Sequence, residues 1–191
     1  EKDFEWAVET ATKKKKIDDN MLVSLYMDNV LSNNTEPKNV YIFCKDNEIE
    51  ETDFYSFYGS IDALKEDIWI KFYENTASNL TKDENFASYS NRNKLLSLYF
   101  TMFEVLTLNR SYVYFTLKEN KNGLKTLKQL KGLREHFKGF IKEIIDENEE
   151  VKNETIQKIT KPLFAEGAWI QFLFLLKFWL DDTSKGFEKT D

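Results

Sequence analysis

The chain has 191 residues, of which 41% are hydrophobic and 15% aromatic, with only 2 Pro and 6 Gly. That is apolar material for a core in one ordinary domain, or a small domain joined to a larger one, with so few breakers that a nearly all-helical chain is expected. The single Cys44 excludes an internal disulfide and a cysteine-based zinc site, and a net charge of −6 with a pI near 5.1 argues against general affinity for nucleic acid or anionic membranes, although a local patch can override the average.

Phe4, Val8 and Ala11, with Ala7 beside them, recur at helical spacing and predict a short amphipathic helix over Glu1 to Thr12. It is either an added helix or a terminal piece in an unusual place in the chain. Lys13, Lys14, Lys15 and Lys16 follow as a solvated linker or as a basic arm reaching phosphate. Residues 1–16 are thus an N-terminal extension. No stretch has a secretory signal's order of basic, apolar and small residues, so a cytoplasmic protein is expected.

Asp18 to Asn33 reads as the first helix of a domain over residues 17–80, capped by Asp18 or Asp19, with an apolar stripe through Leu22, Leu25, Tyr26 and Val30. Asn33 to Pro37 is a loop, with Pro37 placed to start the next helix. Two short helices are then predicted over Asn39 to Asp46 and Glu51 to Tyr58, separated by the polar turn Asn47-Glu48-Ile49-Glu50, whose one apolar residue can plug the pair. Gly59-Ser60 ends the second and caps a longer helix running past Tyr73 through Leu64, Ile68, Trp69 and Phe72. This is the outline of a helix-turn-helix feeding a connecting helix.

The segment resembles the DNA-binding domain of TetR-type transcriptional regulators. Tyr55-Ser56-Phe57-Tyr58 stands at that family's aromatic cluster, Gly59-Ser60 at its turn, and Ile61-Asp62-Ala63-Leu64 at the opening of the next helix. Phe43, Cys44, Ile49 and Phe54 stand at its core positions. Glu48 replaces the family's turn glycine, and Ile61 replaces a phosphate-contacting lysine. Lys38 to Tyr73 carries four lysines (Lys38, Lys45, Lys65, Lys71) against eight carboxylates, a balance of about −4 that is a poor electrostatic footprint for DNA. The resemblance implies that Thr52, Asp53, Tyr55 and Ser56 face the major groove, that Lys38 and Asn39 approach phosphate, and that Lys13 to Lys16 supply charge.

The polar stretch Thr81 to Asn85 marks the expected boundary of a second domain over 81–191. Ser88 to Leu117 is rich in large apolar residues, interrupted at Asn109-Arg110, and is expected to be mostly core, with Phe100, Phe103, Leu106, Tyr112 and Phe115 as candidate pocket residues. After a turn at Asn120 to Gly123, Leu124, Leu127, Leu130, Leu133, Phe137, Phe140, Ile141 and Ile144 trace a long amphipathic helix. Its Lys121, Lys125, Lys128 and Lys131 read as a solvated face, and Phe137 joins the pocket candidates. Glu147 to Glu154 closes the helix or forms an acidic connection.

Pro162 to Leu180 is the last strong element. It approaches the length of a bilayer span, but Glu166, Gln171 and Lys177 interrupt it, so a buried or subunit-facing helix is expected. Trp169 is a further pocket candidate. By the TetR plan, in which late helices of two protomers form a four-helix bundle, Phe172, Leu176 and Trp179 are expected at a dimer interface.

There is no phosphate loop, no nucleophile elbow, and one histidine, His136, so no catalytic constellation, metal site or cofactor is expected. The fold class read from the chain is all-α: an N-terminal three-helix helix-turn-helix domain joined to a C-terminal helical ligand and dimerisation domain. Two functions fit. One is a TetR-like regulator that binds double-stranded DNA as a homodimer under the control of an apolar ligand. The other is a TetR-shaped module that has lost DNA binding and holds a lipid or a partner, with no transmembrane segment in either case.

Overall fold

A computed structural model describes residues 17–119, 128–146, 154–187 and 189. Outside them lie the helix expected over residues 1–12, the basic run Lys13 to Lys16, the turn at 120–123, Leu124 and Leu127 with Lys121 and Lys125, and most of the acidic connection after Asp146. Among the described residues there is no strand. The α-helices are α1 Asp19–Asn33, α2 Val40–Asp46, α3 Glu51–Tyr55, α4 Ile61–Leu80, α5 Asn91–Leu108, α6 Arg110–Tyr114, α7 Lys131–Asp146 and α8 Glu154–Asp181. A 3₁₀ turn at Phe86–Ser88 precedes α5, a π-helical turn Phe115–Glu119 prolongs α6, and a 3₁₀ turn Lys185–Phe187 follows α8.

Local chemistry sets the helix starts. Asp18 Oδ1 accepts the Met21 amide at 2.7 Å, Asn39 Oδ1 accepts the Ile42 amide at 2.8 Å, and Ser60 Oγ accepts the Ala63 amide at 3.1 Å. Each satisfies an amide that the first turn of a helix leaves without a partner. Pro37 therefore does not open α2; the cap is two residues later. α3 stops at Tyr55 rather than Tyr58; beyond it the Phe57 amide tightens into a turn on the Phe54 carbonyl at 3.0 Å, which the Tyr58 amide shares at 3.0 Å. α8 begins eight residues before the expected Pro162 and carries that proline in its interior. Proline lacks the amide that would continue the ladder, which is why it reads as a start when it is not one.

The core of the motif is a chain of aromatic rings, edge-on from Tyr26 to Phe43 at 6.0 Å and Phe43 to Phe54 at 5.9 Å, and tilted from Phe54 to Tyr58 at 6.0 Å. Offset and edge-to-face contacts of this kind add to the burial of the rings themselves. Phe43 and Phe54 are fully buried. α4 is common to both halves. On one side it carries Leu64, Ile68, Trp69 and Phe72 into the buried core. On the other, Thr76 Oγ1 lies 3.2 Å from Met102 Sδ of α5, the ring of Tyr73 stacks on His136 of α7 at 5.4 Å, and Ile70 packs on Gly132 of α7. A side-chain carbon on Gly132 would lie 2.6 Å from Ile70 Cδ1, so a larger residue there would require the Ile70 side chain to shift.

In the C-terminal half Phe137, Trp169 and Phe172 form one cluster, with ring centroids 5.3 to 5.7 Å apart, and Tyr99 stacks on Phe137 at 5.9 Å. Burial lifts the Tyr99 hydroxyl to about 12, and it donates to the Ala168 carbonyl at 2.9 Å. Thr160–Asp181 of α8 is long and apolar enough, by length and composition, to cross a membrane, and a third of it is buried against the rest of the chain.

Candidate functional site

α2 and α3 are held at their angle by the turn Asn47 to Glu50. The Ile49 amide donates to the Cys44 carbonyl at 3.0 Å, which requires Glu48 to take a left-handed conformation at φ 56°. This is the position where the sequence departs from the family's glycine. Cys44 is buried behind the turn; its thiol is pushed up to about 11 by burial and then by Glu51, Asp53 and Glu50, so it is a packing residue and not a nucleophile. Tyr58 donates to Asp67 at 2.6 Å and ties the end of the aromatic cluster to α4.

With Phe54 fully buried, the opposite side of α3 faces solvent. Thr52, Tyr55 and Ser56 are exposed, whereas Asp53 is half-buried. Ser56 Oγ donates to the Thr52 carbonyl at 2.8 Å. Lys38 and Asn39 are exposed at the start of α2, but the Asn39 side-chain oxygen is occupied in capping that helix. Phe57 of the aromatic cluster is also exposed, as is Tyr41, which was not singled out from sequence.

The lysines of α4 are turned inward. Lys65 is buried and pairs with Glu36 at 2.7 Å, and Lys71 pairs with Asp19 at 2.6 Å and Asp67 at 3.8 Å. Of the four lysines between Lys38 and Tyr73, only Lys38 and Lys45 stand at the surface.

Tyr112 was a pocket candidate; the fold places it elsewhere. It is buried where α1, α4 and α6 meet, 6.4 Å from Tyr26 and 6.4 Å from Phe72. Burial raises its hydroxyl strongly. Leu106, Phe137 and Trp169 are likewise packed core. Phe115 is half-buried in a separate cleft with Leu31, Asn34 and Arg110. Phe100 and Phe103 do line a groove of about 890 Å³ between α5 and α8, together with Tyr99, Leu175, Trp179 and Phe187.

The stripe expected at a dimer interface also points inward: Phe172, Leu176 and Trp179 are buried within the protomer. The exposed apolar stripe of α8 is Leu163, Ile170, Phe174 and Phe178, with Gly167 between them and open space where its side chain would be. A segment apolar on all sides gives periodicity nothing to separate, so sequence could not tell the inner stripe from the outer. Among the described residues no cluster of His, Cys, Asp and Glu could hold a metal.

Residues 94–191 match the family model described as tetracyclin repressor-like, C-terminal domain. No curated protein and no solved structure matches the chain. The match covers the C-terminal half, independently of the helix-turn-helix residues that carry the sequence resemblance, and this chain belongs to the TetR-like family.

Proposed function

We propose that the protein is a cytoplasmic TetR-like transcriptional regulator that binds double-stranded DNA as a homodimer and is controlled by an apolar ligand. The observation that carries this reading is the outward row of Thr52, Tyr55 and Ser56 on a short helix anchored by Phe54, in a chain whose other half is a TetR-like domain. Lys38 and Lys45 would meet phosphate, and Lys13 to Lys16 would add charge. Leu163, Ile170, Phe174 and Phe178, exposed at three- and four-residue spacing around Gly167, supply an apolar face suited to a second copy.

Fluorescence anisotropy of labelled duplexes, random and from the gene's own upstream region, titrated across a salt series, tests the reading. Affinity that falls steeply with salt and prefers the upstream duplex is expected. No binding at low salt would overturn it. One observation favours a second reading, a TetR-shaped lipid- or partner-binding module: α4 commits Lys65 and Lys71 to internal carboxylates, leaving the motif surface acidic. Lipid retained through purification, with no DNA binding, would select that alternative.

A further inference from the structure

On α5, Leu96, Phe100, Phe103 and Thr107 recur at three- and four-residue spacing, so they share one face of that helix. On α8, Gln171, Leu175 and Trp179 recur every four residues and line the other side of the aromatic groove of about 890 Å³. Phe187 stands at the Trp179 end, where Gly186 at φ 66° brings no side chain into the space. Leu96 to Leu108 spans roughly 18 Å at the rise of an α-helix, which gives the groove a mean cross-section of about 50 Å². That breadth suits a slab of fused rings better than one extended chain.

The walls are rings already held in place. Phe103 packs on Phe172 at 5.8 Å and on Trp179 at 6.0 Å, and Trp179 packs on Phe187 at 6.0 Å. Tyr99 is fixed from behind by its stack on Phe137 and its hydrogen bond to the Ala168 carbonyl. Phe100 differs, because its ring lines the groove while 57% exposed. Pre-placed rings meet a flat aromatic ligand in tilted or offset contacts that add to the burial of its area, whereas an alkyl chain gains the burial alone. Walls packed in this way also lose little rotamer freedom on binding. Among the described residues Glu104 is the one charged side chain in the lining, and it is exposed, so shape and rings set the selection.

We infer that the α5–α8 groove binds a neutral, planar, fused-ring aromatic molecule, inserted between Phe100 and the wall formed by Phe103, Trp179 and Phe187. This rests on the reading that an apolar ligand controls the protein, and it names the ligand's chemical class. Trp179 and Phe187 also flank the Arg110 guanidinium at the start of α6, and α6 carries Tyr112 onto Tyr26 of α1. The groove's walls are thus packed, through α6, against the helix-turn-helix half.

The test is equilibrium dialysis of the full chain against phenanthrene and against 1-dodecanol, an uncharged chain. Phenanthrene is expected to bind at one site per protomer, about tenfold more tightly than the alcohol. Phe100→Glu, at an exposed position, is expected to weaken phenanthrene about tenfold with the helical circular dichroism unchanged. Phe100→Leu keeps apolar area and removes the ring, and is expected to weaken phenanthrene several-fold while leaving the alcohol unchanged. Phe174→Lys, on the outward stripe of α8 and outside the groove lining, is expected to leave phenanthrene binding as in the parent.

Absence of phenanthrene binding would overturn the proposal, as would an alcohol that binds as tightly, or phenanthrene binding insensitive to both Phe100 variants. Loss of phenanthrene in Phe174→Lys would place the probe on the outward stripe instead. Phenanthrene bound by Phe174→Lys but not by the parent would mean that a second copy fills the groove, which equally overturns the proposal. Anisotropy on the same preparations is a separate readout. DNA binding without phenanthrene binding sinks this ligand class and leaves the regulator standing; phenanthrene binding without DNA binding sinks the regulator and leaves the groove.

Discussion

Arg110 lies flat against Trp179, its guanidinium carbon 4.1 Å from the ring centroid, while it donates to the Trp179 carbonyl at 3.1 Å. The Phe187 ring closes the other side of the guanidinium at 3.9 Å, and Arg110 also donates to the Asp182 carbonyl at 3.0 Å. The Trp179 carbonyl also accepts the Asp182 amide at 3.2 Å, so one side chain at the start of α6 adds to that bond and pins the turn that follows α8.

Removing that cap is expected to be costly. Arg110→Ala should destabilise the protein by about 2 kcal/mol, because charge-assisted hydrogen bonds to the carbonyls at the end of α8 and a stacked guanidinium are lost together. Arg110→Lys should recover less than half, since a point ammonium cannot stack and fork at once. Urea denaturation of the two variants measures both; an Arg110→Ala midpoint equal to that of the parent would refute the cap.

Glu48 offers a change in the opposite direction. Its left-handed backbone, φ 56°, is one that a residue with a Cβ adopts at a cost of roughly 1–2 kcal/mol. Glu48→Gly should raise stability by about 0.5–1 kcal/mol after the glycine's greater freedom in the unfolded chain is subtracted. Differential scanning calorimetry would show a higher Tm, and a lower one would mean that the Glu48 side chain makes a compensating contact.

The two stripes of α8 should respond differently to substitution. Phe172→Ala, which empties a fully buried site, is expected to cost about 3–5 kcal/mol of stability. Phe174→Lys, at a side chain 71% exposed in the protomer, should leave the fold intact but weaken self-association at least about tenfold. Sedimentation equilibrium distinguishes the two. A Phe174→Lys protein that associates as well as the parent would place the contact elsewhere.

Acid should weaken the ties between elements. The Asp19 carboxyl is held below its ordinary 3.8 by the hydrogen bond from Lys71, and Glu166 below its ordinary 4.5 by hydrogen bonds from Lys138 and then Arg134. Both folded values are depressed, so the stabilisation is present above the unfolded carboxylate range and is lost as pH falls through the lower folded values. Burial pulls Lys71 down, but its hydrogen bond to Asp19 and the Asp67 charge outweigh this and raise it, so its share is complete below 10.5 and disappears at higher pH. The double variant D19N/E166Q should therefore be less stable at neutral pH and lose less on acidification below about pH 4. Thermal melts from pH 6 to pH 2.5 that run parallel for parent and variant would contradict this.

The motif was legible from sequence because its signals are local. Asn39 and Ser60 cap their helices through their own side chains, and Phe43, Phe54 and Tyr58 pack within twenty residues of one another. The C-terminal half was legible as helix but not as surface. Phe172 and Phe174 are two residues apart in a uniformly apolar run, and only the position of α5 and α7 decides that the first is inside and the second outside. Tyr112 was misplaced for the same reason: its partners, Tyr26 and Phe72, come from distant segments. The inward turn of Lys65 and Lys71 depended on Glu36 and Asp19, which no local pattern connects to them.

α4, just before the boundary expected at Thr81 to Asn85, packs against elements on both sides of it. α4 contributes Ile68, Trp69 and Phe72 to the core and, through Tyr73, Thr76 and Ile70, packs on α5 and α7. A protease that cuts after Leu80 would therefore not release two autonomous folding units: the N-terminal fragment would leave with α4's second face stripped bare, and the C-terminal fragment would lose the helix that covers α5 and α7. The motif and the body are therefore expected to melt as one cooperative unit, and a substitution felt at Met102 or Gly132 has a direct packing route to α4.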